Sequence, residues 1–276
     1  MAINDENFAW AVKEYAQKAD TNHDGYLSVK ESSKVKQVEF YSSYNIDSLK
    51  GIEHFRNITD FFYRADEVSD YYRLKTYEMS TVEEIDLSGF KKLKNVRIQS
   101  STPYLKRVHL RNCTGLEDLY IQGEPLGGNV DSLDIKGCTN LSSLDVRNHR
   151  KLTKINCQNN ENLTEIKTKG CDNLVNLRCN DNPDLQQLNV TKNKNLRRLR
   201  CENTALTRLN VKKNARLKIL YCDNTNISKL NLKNNKNLLT LSCTETNIKK
   251  LDLSKTKIKR LSAQECDPNV SVIYAK

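Results

Sequence analysis

Residues 20–31 read DTNHDGYLSVKE. Oxygen-bearing side chains stand at the first, third, fifth, ninth and twelfth places: Asp20, Asn22, Asp24, Ser28 and Glu31. Gly25 takes the sixth place and Tyr26 the seventh. This alternation gathers hard oxygens on one side of a tight loop. A calcium ion takes six to eight such oxygens at about 2.3–2.6 Å. In this spacing Asp20, Asn22 and Asp24 offer side-chain oxygens and Tyr26 its carbonyl. Ser28 acts through a water, Glu31 closes the site with both carboxylate oxygens, and Gly25 permits the sharp turn. Leu27, at the eighth place, is expected to pack inward. The expected cofactor is one structural calcium ion, Ca2+.

Such a loop needs elements to hold it. Upstream, Phe8, Ala11, Val12, Tyr15 and Ala19 recur at helical spacing, with Asn4 or Asp5 as N-cap. Downstream, Val35 and Val38 predict an exiting helix. Helix, loop and helix together form the EF-hand pattern; the plainer alternative is an Asp/Asn-rich turn between two helices. Calcium sensors pair their loops and expose a Met-rich groove. The segment 60–72 lacks the glycine of a second loop, and the chain has only Met1 and Met79. A structural role is therefore expected, as a cap over residues 1–45.

The rest of the chain explains what a cap would cover. From Val82 onward an apolar triplet recurs with two spacers and then one, as in LTKINC (152–157), LVNLRC (174–179) and LRRLRC (196–201). Triplets begin at Leu152, Leu163, Leu174, Leu185, Leu196, Leu206 and Leu217, and successive pairs sum to 20–22 residues. Self-similarity at that period means a solenoid. No coil buries its apolar first, fourth and sixth positions alone, so neighbours must stack. The prediction is an α/β-type solenoid, mainly β: a right-handed leucine-rich-repeat stack of about nine coils behind a helical cap. The solenoid is assigned to 46–276, irregular over 62–81 and regular over 82–276. Spacing widens across Asp66 to Met79 and at QGEPLGGN (122–129), where loops or distorted coils are expected.

Two further columns accompany the triplets. The ninth position is Asn at 160, 182, 193, 214 and 235 and Thr at 204, 225, 246 and 256. An inward Asn at a turn satisfies backbone groups of adjoining coils, as a stacked ladder. Cys157, Cys179, Cys201, Cys222 and Cys243 fall at the sixth position, and Cys113, Cys138, Cys171 and Cys266 at the ninth. No CxxC-type pair occurs, which argues against a metal site. Parallel side chains in register suit disulfide geometry poorly. The nine cysteines are expected to be free buried thiols acting as small hydrophobes.

The signatures LxxLxCxxN and LxxLxVxxN, and the run 196–235, resemble the short internalin-like leucine-rich repeats of bacterial surface proteins, especially from gut bacteria. The resemblance implies a curved parallel-sheet scaffold used for binding. It extends to the single calcium loop ahead of the repeats and to 46–61 as the entry coil.

Charge is unevenly spread. Residues 1–80 carry 10 basic and 14 acidic groups and 14 of the 19 aromatics, while the remaining 196 residues carry 35 basic and 20 acidic groups. Outward positions of the Cys-bearing lane read Lys154/Asn156, Asn176/Arg178, Arg198/Arg200, Ile219/Tyr221, Thr240/Ser242 and Arg260/Ser262. A contact patch is expected at Arg178, Arg198, Arg200, Ile219 and Tyr221, for a protein or glycan partner. Lys169, Lys192, Lys213, Lys233 and Lys255 line another edge and serve at least solubility. The alternative is a basic solenoid binding nucleic acid or another polyanion, but stacking aromatics are missing from that surface. The four histidines are scattered and no catalytic constellation converges, so no enzyme is expected. No run approaches the ~20 apolar residues of a membrane span. The start MAINDENFAW shows no signal peptide. A secreted or cell-surface location is expected from the calcium loop, with the cytoplasm as alternative. The final run 268–276 is expected to leave a strand edge, giving a monomer or a dimer joined there.

Overall fold

The computed structural model describes residues 12, 19–24, 27–41, 46–65, 80–100, 104–121, 129–259 and 266–274. Phe8, Ala11, Tyr15, Gly25, Tyr26, residues 66–79 and 122–128, Arg260 and Ser262 lie outside them. The described residues form a mainly β parallel solenoid of about nine turns with little helix.

Alternate strands join two different sheets. One lane opens with a four-stranded sheet of β1 (Gln37–Tyr41), β2 (Asp60–Ala65), β4 (Asn95–Ser100) and β6 (Asp118–Ile121). The other lane is one eight-stranded sheet. It runs through β3 (Glu84–Asp86), β5 (Arg107–His109), β7 (Ser132–Asp134), β9 (Lys154–Asn156), β11 (Asn176–Arg178), β12 (Arg198–Arg200), β13 (Ile219–Tyr221) and β14 (Thr240–Ser242). Every pairing is parallel, because each coil returns through the opposite lane before meeting its neighbour. The first lane continues through the paired β8 (Ser143–Asp145) and β10 (Glu165–Lys167). Segments 188–190, 209–211 and 230–232 follow without forming strands, and the lane ends in β15 (Lys250–Asp252) and β16 (Ser271–Ile273). β16 is the last strand described, and its Ile273 is exposed.

The three-residue strands alternate as the triplet demands. Ile155, Leu177, Leu199, Leu220 and Leu241 point inward between outward neighbours and are fully or almost fully buried. Each buried Leu or Ile contributes about 1.5–3 kcal/mol.

The Asn ladder is present. Asn193 Nδ2 donates to the carbonyls of Thr168 and Cys171, Asn214 to Val190 and Asn193, and Asn235 to Val211 and Asn214. These bonds cross from coil to coil just where the first lane lacks strands, so side-chain amides replace the missing backbone ladder. In the eight-stranded lane Asn182 Oδ1 accepts from Asn160 N, and Asn160 Oδ1 from Cys138 N. The residue before the ninth position is left-handed in many coils: Asn112, Asn148, Asn159, Asp181, Asn203, Asn224 and Glu245. Gly170 takes that place with φ +85°, and an added Cβ would lie 2.9 Å from Asn148 N, so only glycine fits there.

None of the nine cysteines is in a disulfide, and all are buried. Cys157, Cys179, Cys201 and Cys222 direct their thiols at the carbonyls of Arg178, Arg200, Tyr221 and Ser242, one coil onward. Cys266 departs from the expected ninth position. It bridges Cys243 in parallel and extends the sixth-position column instead, because the last coil is longer and puts Cys266 23 residues after Cys243.

The exiting helix is also corrected. Helix α1 is one turn, Val29–Ser32. Val35 follows it in an irregular link, and Val38 lies on β1, which pairs with β2. The parallel sheet thus begins at Gln37, inside the segment 1–45. Val35, Val38 and Phe40 are buried; β-branched and aromatic residues serve a sheet face as well as a helix face, and here the sheet wins.

Candidate functional site

Two places carry the residues expected to act: the N-terminal loop and the face of the eight-stranded sheet.

In the loop, Glu31 sits inside α1 and forms a capping box with Ser28. Its Oε2 accepts from Ser28 N at 3.0 Å and Ser28 Oγ at 2.8 Å. Its Oε1 accepts from Thr21 N and Thr21 Oγ1, both at 2.9 Å. The twelfth place is therefore tied to the second, and the loop closes as a ring. Hydrogen bonds from Ser28, then Thr21, lower the Glu31 pKa to about 2. Asn22 Nδ2 donates to Asp24 Oδ2 at 2.8 Å, and Asp24 N to Asn22 Oδ1 at 3.2 Å. Leu27 packs against the core, as its position requires. The hard-oxygen donors fit a calcium ion in chemistry, and the closed ring holds Glu31 against the start of the loop. Both Glu31 oxygens already accept hydrogen bonds, so ligation by Glu31 would exchange those donors for the ion. Among the described residues, no three His, Cys, Asp or Glu side chains converge in metal-ligand geometry. Tyr26, expected to give its carbonyl, lies outside the described residues.

The sheet face is built by register. Asn176, Arg198 and Ile219 align across β11, β12 and β13, as do Arg178, Arg200 and Tyr221. All five patch residues named from sequence thus share one face. Arg178 and Arg198 are exposed, while Arg200, Ile219 and Tyr221 are half-buried. The Arg200 guanidinium lies over the Tyr221 ring, 5.0 Å from its centroid, and its Nε donates to Glu202 Oε1 at 3.0 Å. Burial raises the Glu202 pKa above the usual carboxylate value. Asp223 Oδ1 accepts from Ser242 Oγ, Thr244 N and Thr244 Oγ1. A shallow cavity of about 280 Å³ opens between Arg200, Glu202, Tyr221, Asp223 and Ser242. Glu202 and Asp223 were missed in the sequence; they stand three residues past each strand centre, outside the triplet.

At the other end of the same face the charges are paired. Arg107 Nε meets Glu84 at 2.7 Å, Arg111 meets Asp134 at 2.6 Å and Lys106 meets Glu83 at 3.6 Å.

The fold defines a leucine-rich-repeat solenoid. No protein-family model and no curated protein matches the sequence. Solved structures align along most of the chain. The functional domain of InlJ from Listeria monocytogenes, which includes a cysteine ladder, is 17% identical with a TM-score of 0.39. The alignment covers 99% of this chain and 59% of that one, so this chain spans less than two thirds of that domain. InlP from Listeria monocytogenes is 14% identical, with 91% and 72% covered and a TM-score of 0.41. A leucine-rich-repeat protein of Leptospira interrogans is 12% identical, with 94% and 97% covered and a TM-score of 0.28. No helix among the described residues is long and apolar enough to cross a membrane.

Proposed function

We propose that the chain is a non-enzymatic binding scaffold, secreted or displayed on a bacterial surface, that recognises a protein or glycan through the face of β11 to β13. The observation that carries this reading is the juxtaposition of Arg178, Arg198, Arg200, Ile219 and Tyr221 on adjoining parallel strands. Arg and Tyr are enriched at contact surfaces, and a rigid sheet presents them without an ordering cost. The N-terminal loop is proposed to hold one calcium ion through Asp20, Asn22, Asp24, Tyr26, Ser28 and Glu31, as a clasp on the first coil. The proposed assembly is a monomer, or a dimer joined at the β16 edge, which light scattering separates.

Protein and glycan arrays probed with the wild-type chain and with Arg178→Ala/Arg198→Ala/Tyr221→Ala test the reading. The wild type is expected to mark discrete ligands that the triple variant, melting within a few degrees of it, no longer marks. Identical array patterns would move the contact surface elsewhere.

A further inference from the structure

We propose that the face over β9 to β14 docks an acidic protein segment bearing apolar side chains. This rests on the scaffold reading and adds the partner's chemistry. Lys154, Arg178, Arg197, Arg198 and Lys218 are exposed on this face or its leading edge. None of the five has a carboxylate partner among the described residues, in contrast to Lys106, Arg107 and Arg111 of the same sheet. Adjacent strands lie about 4.8 Å apart, well inside a Debye length of ~8 Å. Cations on adjoining strands therefore repel one another, Arg178 in register with Arg200 and Arg197 beside Lys218. An anionic ligand removes that repulsion.

The acidic groups nearby do not supply the compensation. Glu202 is taken up by Arg200 and Asp223 by Ser242 and Thr244. Beside the cations stand neutral side chains: the polar Asn156, Asn176 and Thr240 and the apolar Ile219, Tyr221 and Leu239, the last 55% exposed. This mixture selects a protein over a nucleic acid. Single-stranded nucleic acids need open aromatic faces for their bases, and one face of Tyr221 is covered by Arg200. Arg and Tyr beside aliphatic side chains match the composition of protein contacts.

The test places an environment-sensitive dye on a Thr240→Cys variant. The nine native thiols are buried, so the introduced thiol is labelled selectively in the folded protein. The probes are a hexapeptide of sequence Glu-Asp-Leu-Glu-Asp-Leu, the same peptide with Ser for Leu, a Lys/Arg counterpart, a thymidine oligonucleotide and a neutral oligosaccharide. The Leu-bearing acidic peptide is expected to shift the dye saturably at physiological salt. Arg178→Glu/Arg198→Glu is expected to weaken it roughly tenfold or more, as is the Ser replacement in the peptide. Lys192→Glu/Lys213→Glu, on the other lane, is expected to leave it unchanged. Binding the oligonucleotide as tightly as the peptide would make this a polyanion surface and overturn the proposal. Concentration-dependent sedimentation abolished by Arg178→Glu/Arg198→Glu would assign the face to a second copy and overturn it too. A shift by the basic peptide or the oligosaccharide alone would overturn the acidic partner and leave the scaffold reading standing. A dye shifted by no probe and by no array ligand would remove both.

Discussion

The first coils and the middle coils solve the same stacking problem with different materials. Near the N-terminus, β1, β2, β4 and β6 are four to six residues long and enclose Phe40, Phe55, Phe61 and Tyr63, with Phe90 buried on the facing lane. Between 152 and 243 the strands shrink to three residues and the core is Leu, Ile, Val and Cys. Buried amides of Asn193, Asn214 and Asn235 tie the coils together there. The outer faces differ as well: Lys106, Arg107 and Arg111 are paired over β3 to β7, while over β9 to β13 only Arg200 has a carboxylate partner among the described residues and Lys154, Arg178 and Arg198 have none. Internal ladders hold the middle coils, so their outer face is not needed for stability and is free to carry charge for a partner.

The largest effect is expected in the aromatic region. Phe61→Ala removes a fully buried ring and is expected to cost about 3–5 kcal/mol, read by chemical denaturation. In the middle coils, Asn214→Ala strips hydrogen bonds from the carbonyls of Val190 and Asn193. Each carbonyl keeps one backbone donor, from Asn193 N and Leu196 N, so at about 0.5–1.5 kcal/mol per hydrogen bond a loss of about 1–3 kcal/mol is expected. A loss near zero would mean that the amide ladder does not carry the middle coils.

The thiol column sharpens the contrast through pH. Burial pushes Cys157, Cys171 and Cys243 up to about 12 and holds Cys179, Cys201 and Cys222 well above the ordinary thiol value. Folded thiols thus keep protons that unfolded thiols release. Their contribution is complete below about pH 9 and is lost as pH rises toward about 12. A denaturation series across that window is expected to fall steeply, and more shallowly in Cys179→Ala/Cys201→Ala.

The smallest effect is expected at the loop. Calcium is expected to raise the melting temperature, and Glu31→Gln to abolish the rise; no shift at millimolar calcium would remove the ion from the account. Glu31 also carries a sign of its own. Its lowered pKa gives stability that is present above about pH 4.5 and lost as pH falls toward about 2, an acid limb that Glu31→Gln is expected to flatten.

The stacked coils, the inward columns and the outward placement of Arg178, Arg198, Arg200, Ile219 and Tyr221 on one face were legible in the sequence because they are periodic. The turn of the chain after Glu31 was not. Val35 and Val38 fit one helix face by spacing, and only pairing with Asp60–Ala65 shows that they serve a strand and its approach. Cys266 misled because one longer coil shifts the register. Where Asn193, Asn214 and Asn235 would donate was legible only as a ladder; that they replace missing strands follows from the backbone at 188–190, 209–211 and 230–232. Pairing along the outer face was invisible, since Glu84 and Arg107 or Arg111 and Asp134 stand 23 residues apart.

The claim that the middle face carries charge the fold does not need is tested by one set of melting curves. Arg111→Glu leaves Asp134, only 6% exposed, facing a like charge, and is expected to lower the melting temperature by several degrees, at about 2–4 °C per kcal/mol. Arg178→Glu/Arg198→Glu relieves repulsion and is expected to melt at or above the wild-type temperature. A double variant that melts as low as Arg111→Glu would contradict the account, because those arginines would then belong to the fold rather than to a partner.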